Sequence, residues 1–178
     1  RSTPLYSSAA SDVYKRQYQD RLYINDGKGN FARNEAALPA EYSSGSIVTA
    51  CDFDKDGDQD LFVGGRVVPG SYSYNPESFL LQNDGKGKFL NITDKTAVGL
   101  KNKGMVAAAL WTDTDNDGWI DLMVTGEWMG IVIFKNEKGI LKQQPASSPI
   151  NRLTGWWTSL QAGAVSYTHL TLPTNREV

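Results

Sequence analysis

A nine-residue acidic text occurs twice in this chain of 178 residues, at positions 52 and 113, and it constrains the fold more than anything else. The first copy is Asp52-Phe53-Asp54-Lys55-Asp56-Gly57-Asp58-Gln59-Asp60, running into Leu61-Phe62-Val63. The second is Asp113-Thr114-Asp115-Asn116-Asp117-Gly118-Trp119-Ile120-Asp121, running into Leu122-Met123-Val124. Both read D-x-D-x-D-G-x-x-D. Carboxylates at positions 1, 3 and 5 can curl around one hard cation, and glycine at position 6 permits the bend. The carbonyl of position 7 and the carboxylate of position 9 can complete an all-oxygen shell, a donor set that suits calcium. The expected ligands are Asp52, Asp54, Asp56, Asp58 by its carbonyl and Asp60, then Asp113, Asp115, Asp117, Trp119 by its carbonyl and Asp121: about two Ca2+ sites. An EF-hand would need glutamate at position 12 and a helix on each side. Val63 and Val124 stand there, and the flanks read as strands. Turn-forming aspartates without a metal are the remaining alternative. Up to five carboxylates in nine residues would then repel with nothing to offset them.

The ends read differently from the middle. Residues 7–17 resemble an in-frame translation of a sequencing adapter, and residues 165–174 resemble the same adapter on the opposite strand. Residues 1–17 and 165–178 are therefore expected to be foreign to the fold. Ala164 falls at the second junction. The one histidine, His169, lies in the C-terminal segment, so no imidazole chemistry is expected from the remainder. Setting both segments aside leaves 14 basic and 18 acidic side chains, and nine of those acids sit in the two loops. The other charges are mixed and form no basic stripe, so nucleic acid is not an expected partner. No apolar run has membrane-spanning length. The single cysteine, Cys51, is expected to be a small buried strand residue.

Short strands and tight turns fill the rest. Asp26-Gly27-Lys28-Gly29-Asn30 and Asp84-Gly85-Lys86-Gly87-Lys88 each separate two apolar runs, and Glu137-Lys138-Gly139 is a looser copy. Asp-Gly between such runs predicts a hairpin. Ser46–Cys51 and Met105–Thr112 are strands that lead into the acidic loops. The apolar runs after the loops predict strands covered on both faces. Residues 65–76, rich in glycine, proline and tyrosine, predict an exposed linker suited to partner contacts, and residues 126–130 its shorter equivalent. Tyr72, Tyr74 and Trp128 are the candidate ligand-contacting residues. Trp111, Trp119, Trp128, Trp156 and Trp157 are expected mainly in packing, with Trp119 and Trp128 the better candidates for exposure. A unit of about 60 residues made of short strands predicts a propeller or another β-array.

The segments GSIVTACDFDKDGDQDLFVGG, SFLLQNDGKGKF, GMVAAALWTDTDNDGWIDLMVTGEW and GWWTSLQAG resemble FG-GAP/VCBS repeats, in the bacterial branch related to cartilage acidic protein. The resemblance implies an all-β fold, a partial β-propeller of four-stranded antiparallel blades with calcium loops between the first and second strands. It divides the chain into the end of one blade (18–44), a complete blade (45–97, calcium loop 52–60), a second (98–150, calcium loop 113–121) and the start of a truncated third (151–164). Too few units are present to close a ring, so the rest of the propeller is expected elsewhere. The resemblance also implies an extracellular, cell-surface or periplasmic location and a non-catalytic adhesion or binding role toward a protein or glycan ligand. The alternative is the scaffold of a secreted polysaccharide lyase or hydrolase, for which no nucleophile motif or isolated carboxylate pair is visible.

Overall fold

The computed structural model describes residues 17–145 and 154–163. The adapter-like segments, Ala164 and residues 146–153 lie outside the described residues, apart from Gln17. The class is all-β, with antiparallel sheets.

Strands β1 (Leu22–Asn25) and β2 (Phe31–Asn34) form a hairpin. Strands β3 (Ser44–Cys51), β4 (Asp60–Val67), β5 (Phe79–Asn83) and β6 (Phe89–Asn91) form a four-stranded meander in that order. A four-residue helix, α1 (Thr93–Thr96), follows and was not anticipated. Strands β7 (Met105–Thr112), β8 (Asp121–Met129), β9 (Val132–Asn136) and β10 (Leu141–Gln143) repeat the meander. The short strand β11 (Gly155–Trp156) pairs with the far end of β8. Residues 157–163, within the expected start of the truncated blade, have no regular structure.

The turns explain the hairpins. Asp26 and Asp84 each accept two amide N–H groups through Oδ1, from Lys28 and Asn30 at 2.7 and 3.1 Å and from Lys86 and Lys88 at 2.9 and 3.1 Å. Gly27 and Gly85 supply the positive φ that these turns need. Those amides also hold both carboxyls below the usual range; at Asp26 the Asn30 side chain contributes most.

Strand period two decides which side chain meets which layer. Phe62 and Leu80 point from the first meander into a core shared with Val106, Leu122, Val124, Phe134 and Leu141 of the second. Their neighbours Val63, Phe79 and Leu81 face the other way and cluster with Leu22 and Leu38. The first meander is thus covered on both faces, as its continuous apolar β4 predicts.

Two boundaries differ from expectation. Gly65–Val67 continue β4 and Gly126–Met129 continue β8, where a linker was expected. The glycines misled because their role is close approach. A Cβ on Gly65 would lie 2.2 Å from the Glu77 carbonyl oxygen, and one on Gly126 would lie 1.9 Å from that of Met105. Both positions face irregular register, where β3 and β7 each carry a bulge. Trp156 also departs from expectation: it is 57% exposed. Trp111 packs inside, its ring 6.2 Å from that of Phe53.

Candidate metal centre

The β3–β4 and β7–β8 connections are the two acidic loops, at the same end of the stacked meanders. In both, position 4 and position 6 take positive φ: Lys55 at 62° and Gly57 at 98°, Asn116 at 59° and Gly118 at 86°. This curls the chain so that carboxylate oxygens of positions 1, 3 and 5 converge. One oxygen each from Asp52, Asp54 and Asp56 lies within 4.8 Å of the others, and the same holds for Asp113, Asp115 and Asp117. The two triads could each hold a metal ion.

Loop amides also use these carboxylates. Asp52 accepts from the Asp56 and Gly57 amides, both at 3.1 Å, and Asp113 accepts from Gly118 at 2.9 Å. A carboxylate has about four acceptor directions, so these bonds do not exhaust it. Asp113 Oδ1 is buried without a hydrogen-bond partner. The Trp119 amide, 2.8 Å from Asp117 Oδ1, is the main reason that carboxyl sits below its usual range.

Position 9 lies deeper. Asp60 and Asp121 are fully buried, and each accepts the amide of an asparagine on the third strand of its meander: Asn83 at 2.8 Å and Asn136 at 2.7 Å. Asp121 uses its second oxygen on the Thr114 amide and hydroxyl. Asp60 Oδ2 has no hydrogen-bond partner. Burial pushes the Asp60 carboxyl up to about 6, and the Asn83 and Phe53 amides offset only part of that. The Phe53 amide faces this carboxyl as the Thr114 amide faces Asp121, but Oδ2 makes no hydrogen bond of normal geometry, which leaves it room to accept from a cation. Neither Asp60 nor Asp121 belongs to its triad. Asp58 turns its side chain toward the neighbouring hairpin, where a Cβ on Gly85 would lie 2.7 Å from Asp58 Oδ2.

Three functional neighbours escaped the sequence reading. Gln82 donates to Asp54 Oδ2 at 2.6 Å, while Lys135, at the matching place in the second unit, pairs with Asp115 and lies 3.4 Å from Asp117. Buried Asn136 donates to the Phe53 carbonyl at 2.7 Å and the Ile120 carbonyl at 3.0 Å, tying the first loop to the second meander. Aligning Gln82-Asn83-Asp84 with Lys135-Asn136-Glu137 in the two hairpins is the signal that could have exposed them. Cys51 precedes the first loop in β3, and its thiol is pushed up to about 11 by burial and by Asp52 and Asp60, so it stays protonated at neutral pH.

At the opposite ends of β4 and β8, Tyr72, Tyr74 and Trp128 are exposed, as their candidacy requires. Tyr72 donates to Glu127, the residue before Trp128, whereas Trp119 lies in the second loop, with the Lys55 ammonium 4.3 Å from its ring.

Residues 9–63 match the FG-GAP-like repeat family. The match takes in β1 to β3, the first acidic loop and the start of β4, and it begins inside the adapter-like N-terminal segment. No curated protein matches the chain.

Proposed function

We propose that the chain is part of a calcium-stabilised β-propeller of the branch related to cartilage acidic protein, a non-catalytic recognition module that works outside the cytoplasm on a protein or glycan ligand. The observation that carries this reading is the recurrence of one convergent acidic triad at the same place in two stacked meanders. FG-GAP repeats are typically extracellular or surface-associated, which supports the location. Among the described residues no helix is long and apolar enough to cross a membrane.

The Mechanism is mechanical. Asp52, Asp54 and Asp56, with the carbonyl of Asp58 and the orphan oxygen of Asp60, would hold the first ion; Asp113, Asp115, Asp117 and the Trp119 carbonyl would hold the second, with Asp121 behind them. Calcium supplies charge neutralisation, and the loops then stiffen the ends of four strands. The structure around them presents exposed side chains on rigid strands at the other end.

A thermal-shift titration with calcium and magnesium tests this. Extracellular calcium modules bind at roughly 0.1–1 mM. At about 10 mM calcium each site should therefore add about 1.5–3 kcal/mol. Magnesium should do much less, since it dehydrates reluctantly and demands an octahedron. Equal shifts with both ions would overturn the reading.

A further inference from the structure

The end of the meanders away from the acidic loops carries a second constellation. Asp121 begins β8 and Glu127 lies six residues on, which puts the two ends about 20 Å apart. Glu127 is only 4% exposed, yet it borders a cavity of about 360 Å³ lined also by Ser73, Asn75, Lys103, Gly104 and Trp128. Arg66 pairs with Glu127 Oε1, and the Tyr72 hydroxyl donates to Oε2 at 2.8 Å. These two contacts fix the carboxylate while leaving it acceptor capacity.

Trp128 stands over this cavity with 67% of its surface exposed. Its backbone has φ of 58°, unusual for a bulky residue. The ring packs on Trp156 at 5.6 Å and 54°, and Tyr74 is exposed nearby in sequence to Tyr72. Burial holds the Lys103 ammonium below its usual range, and Gln143 accepts from it at 2.6 Å.

We propose that this rim is a glycan-binding site, in which a pyranose ring lies against the exposed face of Trp128, with Trp156 tilted beside it, and its hydroxyls meet Glu127, Asn75 and Lys103. The inference rests on the recognition-module reading and gives it a place and a ligand class. A pyranose has one face of C–H groups and a rim of hydroxyls. It needs an aromatic plate bordered by a few fixed donors and acceptors, and this rim offers that arrangement. An extended peptide would instead need a free strand edge. β8 has its hydrogen-bonding positions taken by β7, β9 and β11, and the outer edge at this rim is β11, whose two residues are too few to seat an extended peptide. Arg66 is neutralised by Glu127, so the rim lacks the positive row that a nucleic acid would follow.

The test is a tryptophan-fluorescence titration of the full chain, backed by calorimetry. The probes are cellohexaose, chitohexaose, mannohexaose and hexagalacturonate. At least one should bind saturably. Trp128→Ala should weaken that binding at least tenfold, and Tyr72→Phe, which removes only a hydroxyl, should weaken it measurably. Tyr23→Ala, an exposed aromatic change in β1, should leave it unaltered. The proposal is overturned if no probe binds, or if Trp128→Ala binds like the parent. The calcium thermal shift, read on the same samples, separates the two readings: a lost calcium response with intact sugar binding removes the metal assignment alone, and the converse removes this site alone.

Discussion

The two acidic loops share a text, a backbone conformation and a convergent triad, and they differ in what surrounds them. The first is enclosed. Its second carboxylate, Asp54, takes the neutral amide of Gln82, Asn136 of the second meander reaches across to the Phe53 carbonyl, and a Cβ on Gly139 would lie 3.3 Å from Asp54 Cβ. The second loop has an ammonium where the first has an amide: Lys135 pairs with Asp115 and sits near Asp117. A ligand motif thus sets the donors, while the neighbouring strand sets how much positive charge already stands among them. Two loops with the same ligand pattern need not hold an ion equally well.

The largest effect expected from this difference is at Asn136. Asn136→Ala removes one buried and one half-buried donor contact and the acceptor of the Gly139 amide at 2.8 Å, and should cost about 2–4 kcal/mol. Asn83→Ala, the matching change, removes bonds at 3.2 Å in exposed or half-buried places and should cost about 1 kcal/mol. Denaturant unfolding of the pair checks this; equal losses would break the contrast.

Acidity separates the loops next. The Asp60 carboxyl titrates at about 6 in the fold against an ordinary 3.8, so folding takes up a proton between those values. In chelator, the fold therefore loses stability through Asp60 as pH rises through this window, by up to about 2–3 kcal/mol. Asp60→Asn should gain on the parent between pH 4 and pH 7 in chelator, and lose to it in calcium. Asp121→Asn should lose at every pH, because one amide cannot accept from all of the Asn136 and Thr114 donors. Thermal melts at several pH values decide this, and a parallel pH course for parent and Asp60→Asn would count against it.

Within the triads, Asp54→Ala and Asp115→Ala should each remove about half of the calcium stabilisation, whereas Asp94→Ala, remote from both, should remove none. An unchanged calcium response in both loop variants would break the metal assignment. The smallest effect is the exchange of neighbours. Lys135→Gln should tighten calcium at the second loop by about two- to fivefold, the scale that one exposed charge pair carries, and Gln82→Lys should loosen the first. Calorimetric titration resolves both, and no change from Lys135→Gln would mean the ammonium leaves without cost.

Most of the strand plan was legible because it is local. Alternating apolar residues, Asp-Gly turns and the repeat interval mark β1 to β10 within a few residues. The triads were legible for the same reason, since positions 1, 3 and 5 of one loop need nothing distant to converge. What escaped came from contacts across units. Gly65 and Gly126 read as linker glycines because the backbone that crowds them belongs to other segments. Gln82, Lys135 and Asn136 read as ordinary hairpin residues because their targets are 15 to 83 positions away. Glu127 carries no motif of its own in the sequence; its partners Arg66 and Tyr72 lie 61 and 55 positions away.

Arg66 and Glu127 stand at the same place in successive units, 61 residues apart, and join as opposite charges. Two copies of either unit set side by side would oppose like with like at that seam. The two units thus match one another at this seam through a difference: duplication supplies the shape, and divergence at one position supplies the complementary charge.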